Sequence, residues 1–451
     1  MLFATVADPY ILQSADNCHV DGPLSLFFES IRLLGRRLSS RSPVLKPKLK
    51  HLRHPLRTLN VAKSMAVAHF EMRAFADRGD QQFADDPRYN LENVTAGFAC
   101  RRDIDTDDSA LLSRICAAYK ATVEHPECAR PAYRATGWWQ QIRHRSLAPV
   151  RQALLKNDIA ALSGMYRNFF RDPCSTGLTT VPYGMTRAYF GGKMTDLHRR
   201  IYLADTLYRL DYWKQETDGR FHLRDLAIPP IGNPFGVCLE GTLVSARSEF
   251  QHRCADRVVS LLPSKLSTVV EIGGGFGGMA YYLLRDQPKT KYCDFDLPES
   301  IAIATYYLVK AFPRKKVLLF GETPLNDEAI ANADVVLMPL FCLEHLQTAS
   351  VDVTFSSHAM TDIEAEELAL YLETIDRLTR NRFLFVGAAS LPSLPGLLGD
   401  DVGLLHLEKR RQLQWSSHRR LQIGEIEELY SFNRAEEKES SVEGNLAHVH
   451  R

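Results

Sequence analysis

The sequence lacks most of the marks of specialised protein classes. Its nine cysteines (Cys18, Cys100, Cys116, Cys128, Cys174, Cys238, Cys254, Cys293 and Cys342) are scattered and form no CxxC pair. An odd, irregular set argues against a disulfide framework or a zinc site and for a reducing compartment. Long apolar runs are missing, and the longest, VVLMPLFCL at 335–343, is far too short to span a bilayer. The opening MLFATVADPYILQSADN has no basic n-region and is interrupted by Asp8, so it does not read as a secretory signal. Net charge is lacking too, since 55 Lys and Arg face 54 Asp and Glu, and the average charge points to no particular partner. No repeat, no low-complexity tract and no aromatic-plus-basic reader motif appears, so nucleic acid is not expected as the substrate. These absences lead to the expectation of a soluble cytoplasmic protein. Its 451 residues and 45% hydrophobic content allow two or three domains with large cores.

What charge there is falls unevenly. Between Arg32 and Lys63 the chain has ten basic residues and no acidic one. A solvated arm is the plain reading, and peripheral contact with an anionic membrane, a phosphorylated substrate or a partner is its rival. The expected organisation is a basic arm (1–60), a mainly helical substrate or dimerisation domain (61–255), a Rossmann-like domain (256–432) and a polar tail (433–451). In the helical part, 108–124 and 196–215 read as helices. The second interleaves Ile201, Leu203, Leu207 and Leu210 with Tyr202, Tyr208, Tyr212 and Trp213, aromatics expected mostly in the core. The loop IPPIGNPFG (228–236) separates the two halves.

After that loop, strands and helices alternate. STVVEIG (267–273), KYCDFD (291–296), KKVLLFG (315–321), ADVVLMP (333–339), VDVTFSS (351–357) and RFLFVGA (382–388) read as strands. Helices at 277–287, 298–312 and 362–378 lie between them, and 403–420 reads as an antiparallel pair finishing the sheet. The fold class is therefore α/β, a parallel sheet with helices on both faces.

The stretch VVEIGGGFGGMAYYLL (269–284) puts five glycines into six positions after the first strand. In open α/β sheets such a loop lies at the ligand site, where strand order reverses. Gly273, Gly275 and Gly278 match GxGxxG, the dinucleotide fingerprint. Glu271, Gly273, Gly275 and Gly277 match ExGxGxG, the pattern of S-adenosylmethionine (SAM) methyltransferases. A carboxylate at Glu271 repels a pyrophosphate and attracts the ammonium and sulfonium of SAM, which favours SAM as the cofactor. Asp296 ends the second strand, where an acid accepts ribose hydroxyls in either class, and Asp294 competes for that role.

VVEIGGGFGGMAYYLL, DFDLPESIAIATYYLVKAF, VLLFGE and VDVTFSSHAMTDIEAEELALYLETIDR, preceded by IGNPFG, resemble the bacterial sugar O-methyltransferases, class I SAM-dependent enzymes of polysaccharide and glycoconjugate biosynthesis. The resemblance covers 225–390, with a fainter echo in RNFFRDPCSTGL (167–178). It implies Glu271, Gly273, Gly275 and Gly277 around the methionine part of SAM and Asp296 on the ribose. Glu322, Met338 and Leu340 are the candidates beside adenine. The family's Asn, Ser and Glu-Met near the acceptor are replaced here by the run Ser356, Ser357, His358, Ala359, Met360, Thr361, Asp362.

A sugar hydroxyl ionises far above neutrality, so its methylation calls for a general base. His358 has the intrinsic pKa for that task, and Asp362 is the competing base. Capping or packing of the next helix is the alternative for His358, and Thr361 with Glu364 reads as a capping box. The His-Asp-Trp order of plant and polyketide enzymes is not met. No clustered ligands suggest a metal, and Asn233 and Arg247 are candidates for the border of the acceptor pocket, with turn formation the favoured role for Asn233. The expected activity is SAM-dependent O-methylation of a sugar hydroxyl on a glycan, glycolipid or glycosylated metabolite. A phenol or carboxylate acceptor, and a non-catalytic SAM- or nucleotide-binding protein, are the two rivals.

Overall fold

The computed structural model describes residues 55–101, 106–179, 194–360, 363, 365–388, 394, 406–414 and 424–432. Most of the basic arm, the polar tail and Thr361, Asp362 and Glu364 lie outside the described residues. The described chain divides into two compact units, one of 55–89 with 195–204 and the other of 90–194 with 205–432. The first unit holds helix α1 (Pro55–Gln82) and the start of α7 (Asp196–Glu216). Within it Arg200 binds Asp77 at 2.6 Å and also pairs with Asp80, and Gly79 packs against Ala204.

In the second unit, α2 (Leu91–Ala99), α3 (Ser109–Glu124), α4 (Gly137–Arg145), α5 (Ala148–Lys156) and α6 (Ile159–Tyr166) precede the rest of α7. A hairpin follows, β1 (Gly236–Leu239) and β2 (Thr242–Ser245), turned on Glu240 and Gly241, both with positive φ. Then come α8 (Ser248–Val259), β3 (Thr268–Ile272), α9 (Gly278–Asp286), β4 (Lys291–Asp296), α10 (Pro298–Ala311), β5 (Val317–Leu319), α11 (Asp327–Asn332) and β6 (Val335–Pro339). The chain ends with β7 (Val351–Ser357), α12 (Ala365–Leu378), β8 (Thr379–Ala388), β9 (His406–Gln414) and β10 (Gly424–Ser431).

Eight of these strands form one sheet in the order β5-β6-β4-β3-β7-β8-β10-β9. All neighbours from β5 to β8 are parallel, and β10 runs antiparallel to both β8 and β9. The antiparallel pair is thus β9 with β10, drawn from 406–414 and 424–431 rather than from within 403–420. Strand order reverses at β3, whose chain leaves toward β4 and returns as β7 on the other side. Ligands in such sheets bind beyond the carboxyl ends of strands at this point. The inner parallel strands β3, β4, β6 and β7 are buried along most of their length, as expected of a sheet covered on both faces. Val269, Val270, Phe295, Val336, Met338 and Phe355 are all within 0% exposure.

Helices α3 to α5 are tied to α10. Asp108, before α3, receives hydrogen bonds from Lys310 (2.6 Å) and Tyr306 (2.7 Å). Glu299, in the first turn of α10, is held by Arg143 (2.9 Å), Arg151 (2.7 Å) and Tyr119 (3.2 Å). In α7, Ile201, Leu203, Leu207, Leu210 and Trp213 are buried, whereas Tyr202, Tyr208 and Tyr212 are half-buried. Only one of the four aromatics expected in the core is fully there, because the tyrosines lie outside the stripe set by the aliphatic positions.

Candidate functional site

The glycine loop turns from β3 into α9. Gly273, Gly275 and Gly277 have φ of +81°, +65° and +85°. At Gly273 a side chain is also excluded by space, because a Cβ there would sit 2.2 Å from the Cβ of Ala359. The loop is stitched to the end of β4 by its own amides. Gly273 N–H donates to the Phe295 carbonyl (2.9 Å), Gly274 N–H to Asp294 (3.0 Å) and Gly275 N–H to Asp296 (2.9 Å). Asp296 also accepts from the Leu297 amide at 2.6 Å.

Three buried carboxylates therefore meet at this end of the sheet. Glu271 accepts the Tyr292 hydroxyl at 2.5 Å, and Asp294 Oδ2 is a buried oxygen with no hydrogen-bond partner. Burial raises the pKa of all three. The charge of Asp296 adds to the rise at Glu271, and the charges of Asp296 and Glu271 add to it at Asp294. The Tyr292 hydroxyl and the loop amides pull the other way. Such a site disfavours any further anion and suits a cation, which matches the ammonium and sulfonium of SAM and not a pyrophosphate. Asp296 is 8% exposed against 2% for Glu271 and 0% for Asp294, the most accessible of the three acids.

A segment far back in the chain supports the loop from behind. Phe169 and Phe170 pack on Phe276 with ring centroids 5.7 and 5.2 Å apart. Arg171 donates to the carbonyls of Phe98 (2.8 Å), Cys100 (2.7 Å), Asn233 (2.9 Å) and Pro234 (3.3 Å). Burial among these carbonyls lowers its pKa to about 10. Asn233 ties the segment further by donating to Asn168 at 2.9 Å, so it serves the turn.

On the other side of β3 lies a second group. Ser356 donates to the Ile272 carbonyl at 2.9 Å, and the turn carrying His358 and Ala359 packs on Gly273. His358 has φ of +60°, an uncommon state for a non-glycine residue, and its amide donates to the Val386 carbonyl at 2.8 Å. Its Nε2 lies 3.2 Å from Glu425 Oε1, at the start of β10. Glu425 is 3% exposed and is reached by Arg247 (3.4 Å) and Arg253 (3.1 Å). Burial alone would raise its pKa, yet the His358 hydrogen bond and the charges of Arg247, His358 and Arg253 outweigh it and bring it down to about 2. Arg247 shares the left-handed backbone of His358, with φ of +62°.

The structure brings Glu271, Gly273, Gly275, Gly277 and Asp296 together and sets His358 beside them. Glu322 goes elsewhere, because it follows the edge strand β5, two strands from β4, and pairs with Arg114 at 2.5 Å. Met338 is enclosed within β6 beside Phe295, while the carboxyl end of that strand, Pro339, pairs with Asp296. Asp362 lies outside the described residues. Glu425 and Arg253 were not singled out in the sequence, where an acid in GEIEELYS and an arginine in a charged helix carry no distinguishing signal.

Comparison with known proteins bears on this arrangement. Residues 244–354, from β2 through most of β7, match the model of an O-methyltransferase domain. The chain carries a SAM-dependent methyltransferase domain. No curated protein matches the chain in sequence. Among solved structures, this methyltransferase is similar to a SAM-dependent methyltransferase from Aquifex aeolicus at 16% identity, over 40% of this chain and 89% of that one, with a TM-score of 0.27. It is also similar to the N-methyltransferase NodS from Bradyrhizobium japonicum in complex with S-adenosylhomocysteine, at 14% identity over 41% and 87% (TM-score 0.29). A geranyl diphosphate methyltransferase in complex with SAM matches at 12% identity over 40% and 84% (TM-score 0.29). Among the described residues, no helix of this methyltransferase is long and apolar enough to cross a membrane.

Proposed function

We propose that the protein methylates a hydroxyl group of a sugar, in a glycan, glycolipid or glycosylated metabolite, with His358 as general base. The observation that carries this reading is the His358–Glu425 pair, 3.2 Å apart, on the turn that packs against the cofactor glycine Gly273. Glu271, Gly273, Gly275 and Gly277 would hold the methionine part of SAM and Asp296 the ribose. When bound, SAM supplies a methyl group already activated on a sulfonium. The chain must then orient the acceptor oxygen and remove its proton.

Glu425 performs the first part of that task on the base itself. With Nε2–H donating to Glu425, the neutral ring of His358 carries its lone pair on Nδ1. Nδ1 is then the atom that takes the acceptor's proton. Arg247 and Arg253 keep Glu425 ionised throughout. The sugar assignment draws on the resemblance of 225–390, with the charged Glu425 beside the base.

The test combines product analysis with one variant. Labelled methyl groups from SAM should appear in base-stable ethers on sugar hydroxyls, whereas methyl esters would release methanol in mild base. His358→Ala should leave the calorimetric affinity for SAM unchanged and slow transfer by roughly 10²- to 10⁴-fold. Turnover of His358→Ala at the wild-type rate would remove the base assignment.

A further inference from the structure

We infer that Glu271, Asp294 and Asp296 share protons in the free protein, and that SAM displaces one of them whereas S-adenosylhomocysteine does not. The cluster thereby favours the methyl donor over the spent product. The inference rests on the SAM assignment and is independent of the sugar reading above.

The three acids lie on one face of the sheet. Alternate residues of a strand share a face, so Tyr292, Asp294 and Asp296 project together from β4. Glu271 is the register partner of Asp294 on the parallel strand β3 and projects with them. The glycine loop lies directly over the middle acid, since a Cβ on Gly274 would sit 2.7 Å from Asp294 Oδ1 and 2.8 Å from its Oδ2. Gly274 N–H serves only Oδ1, which leaves Oδ2 buried and without a hydrogen-bond partner. None of the three acids forms an ion pair among the described residues. Around them stand the Tyr292 hydroxyl, Cys254 of α8, Glu299 of α10 and Tyr371 of α12. Burial pushes the Cys254 thiol up to about 12 and the Tyr371 phenol up as well, so both are neutral. Glu299 Oε2 is also buried without a hydrogen-bond partner, but Arg143 and Arg151 meet the charge of that residue at 2.9 and 2.7 Å.

Carboxyl groups crowded on one buried face cannot all ionise, and protons stay on them until a cation arrives. The raised pKa values agree: about 8 at Glu271, about 7 at Asp296, and well above the usual carboxylate range at Asp294. Those protons belong to the cluster as a unit. SAM and S-adenosylhomocysteine share an ammonium and a carboxylate and differ in charge only at sulfur, a sulfonium in one and a neutral thioether in the other. The extra positive charge stabilises the ionised cluster, which gives a proton to solvent. Binding that releases a proton tightens as pH rises, so the preference for SAM grows until pH passes the pKa of the free cluster. With the product left in the site, the cluster takes a proton back from solvent and its hold on the ligand loosens.

The full-length protein is titrated calorimetrically with SAM and with S-adenosylhomocysteine, each in two buffers of different ionisation enthalpy, which counts the protons exchanged. Near neutral pH, SAM should release roughly half a proton or more and S-adenosylhomocysteine clearly fewer. The affinity for SAM relative to S-adenosylhomocysteine should rise roughly tenfold from about pH 6 to about pH 7.5, below the range where a ligand amino group titrates. Tyr292→Phe removes the hydroxyl that favours ionised Glu271. It should move the rise to higher pH and weaken SAM near neutrality by roughly tenfold, with S-adenosylhomocysteine little changed. A purely structural role for Tyr292 would weaken both ligands alike and leave the pH profile in place. Glu271→Gln should remove most of the difference in released protons. Equal proton release for the two ligands, with a flat affinity ratio over that pH range, would overturn the inference and leave the SAM assignment standing. Failure of both ligands to bind wild type would overturn both.

Discussion

Gly273 links the cofactor loop to the turn that carries His358, and replacing it with alanine should damage both in separable amounts. Its φ of +81° imposes a left-handed backbone, which costs an L-residue about 1–2 kcal/mol. The new Cβ would also lie 2.2 Å from Ala359 Cβ, where carbon atoms normally rest about 3.5–4.0 Å apart. Relief requires the turn to move by more than about 1 Å, and overpacking of this size costs about 1–3 kcal/mol. Gly273→Ala should therefore destabilise the domain by about 2–5 kcal/mol in urea denaturation and weaken SAM binding. It should also slow transfer, because displacing the turn disturbs the His358–Glu425 contact. The decisive variant is the double one. With Ala359→Gly added, the nearest remaining atom is the Cα of residue 359, at 3.6 Å, an ordinary contact. The steric part should be recovered and the backbone part, about 1–2 kcal/mol, should remain. If Ala359→Gly restored neither stability nor transfer, the two loops would not be in the contact described here.

Two further perturbations probe the halves separately. Asp296→Ala should weaken SAM binding at least roughly tenfold by calorimetry, the scale of hydrogen bonds to a charged group, and an unchanged affinity would exclude Asp296 as a ligand. Glu425→Gln leaves Arg247 and Arg253 without this anion and should cost about 3–5 kcal/mol at pH 7. The folded pKa of Glu425, about 2, lies below the usual 4.5, so its stabilisation is present above pH 4.5 and is lost as pH falls toward 2. Denaturation midpoints of wild type and Glu425→Gln should therefore converge over that window, and a gap that stays constant down to pH 2 would contradict the assignment.

How far the sequence could be read depends on how far apart its partners lie. The glycine loop and Asp296 were legible because their contacts are nearly local: Gly275 finds Asp296 only 21 residues on, within one strand–helix–strand unit whose periodicity is strong. Asp294, the competing acid, lies one strand pleat back and is fully buried, whereas Asp296 keeps 8% exposure, and each accepts one loop amide. The β1–β2 hairpin escaped notice because its turn uses Glu240 at positive φ, where Asn or Asp would have announced it. Glu322 was drawn to the site by an apolar run that forms an additional edge strand, and no local signal distinguishes an edge from a central strand of that length. Glu425 joins His358 across 67 residues and Arg247 across 178, through a strand inserted between β8 and β9. No pattern within a window of ordinary length reports such a meeting.

The two sides of β3 solve opposite electrostatic problems, and this explains why they are built so differently. On the cofactor side the ligand brings the positive charge. Glu271, Asp294 and Asp296 have no ion-pair partner among the described residues, and burial, with the charges of neighbouring carboxylates, raises their pKa values. A permanent arginine there would compete with the ligand for the same carboxylates. On the acceptor side, the general-base role proposed for His358 would place a proton on the ring during each turnover. A carboxylate that answers it must stay ionised whether the ring is neutral or charged. The pKa of Glu425 is held low by the His358 hydrogen bond first and by the charges of Arg247, His358 and Arg253 besides. Those arginines come from α8 and the residue before it, whose partners α9 and β10 are fixed by the sheet. His358 is thereby positioned by the scaffold itself, whereas the acid cluster is built without a cation of its own.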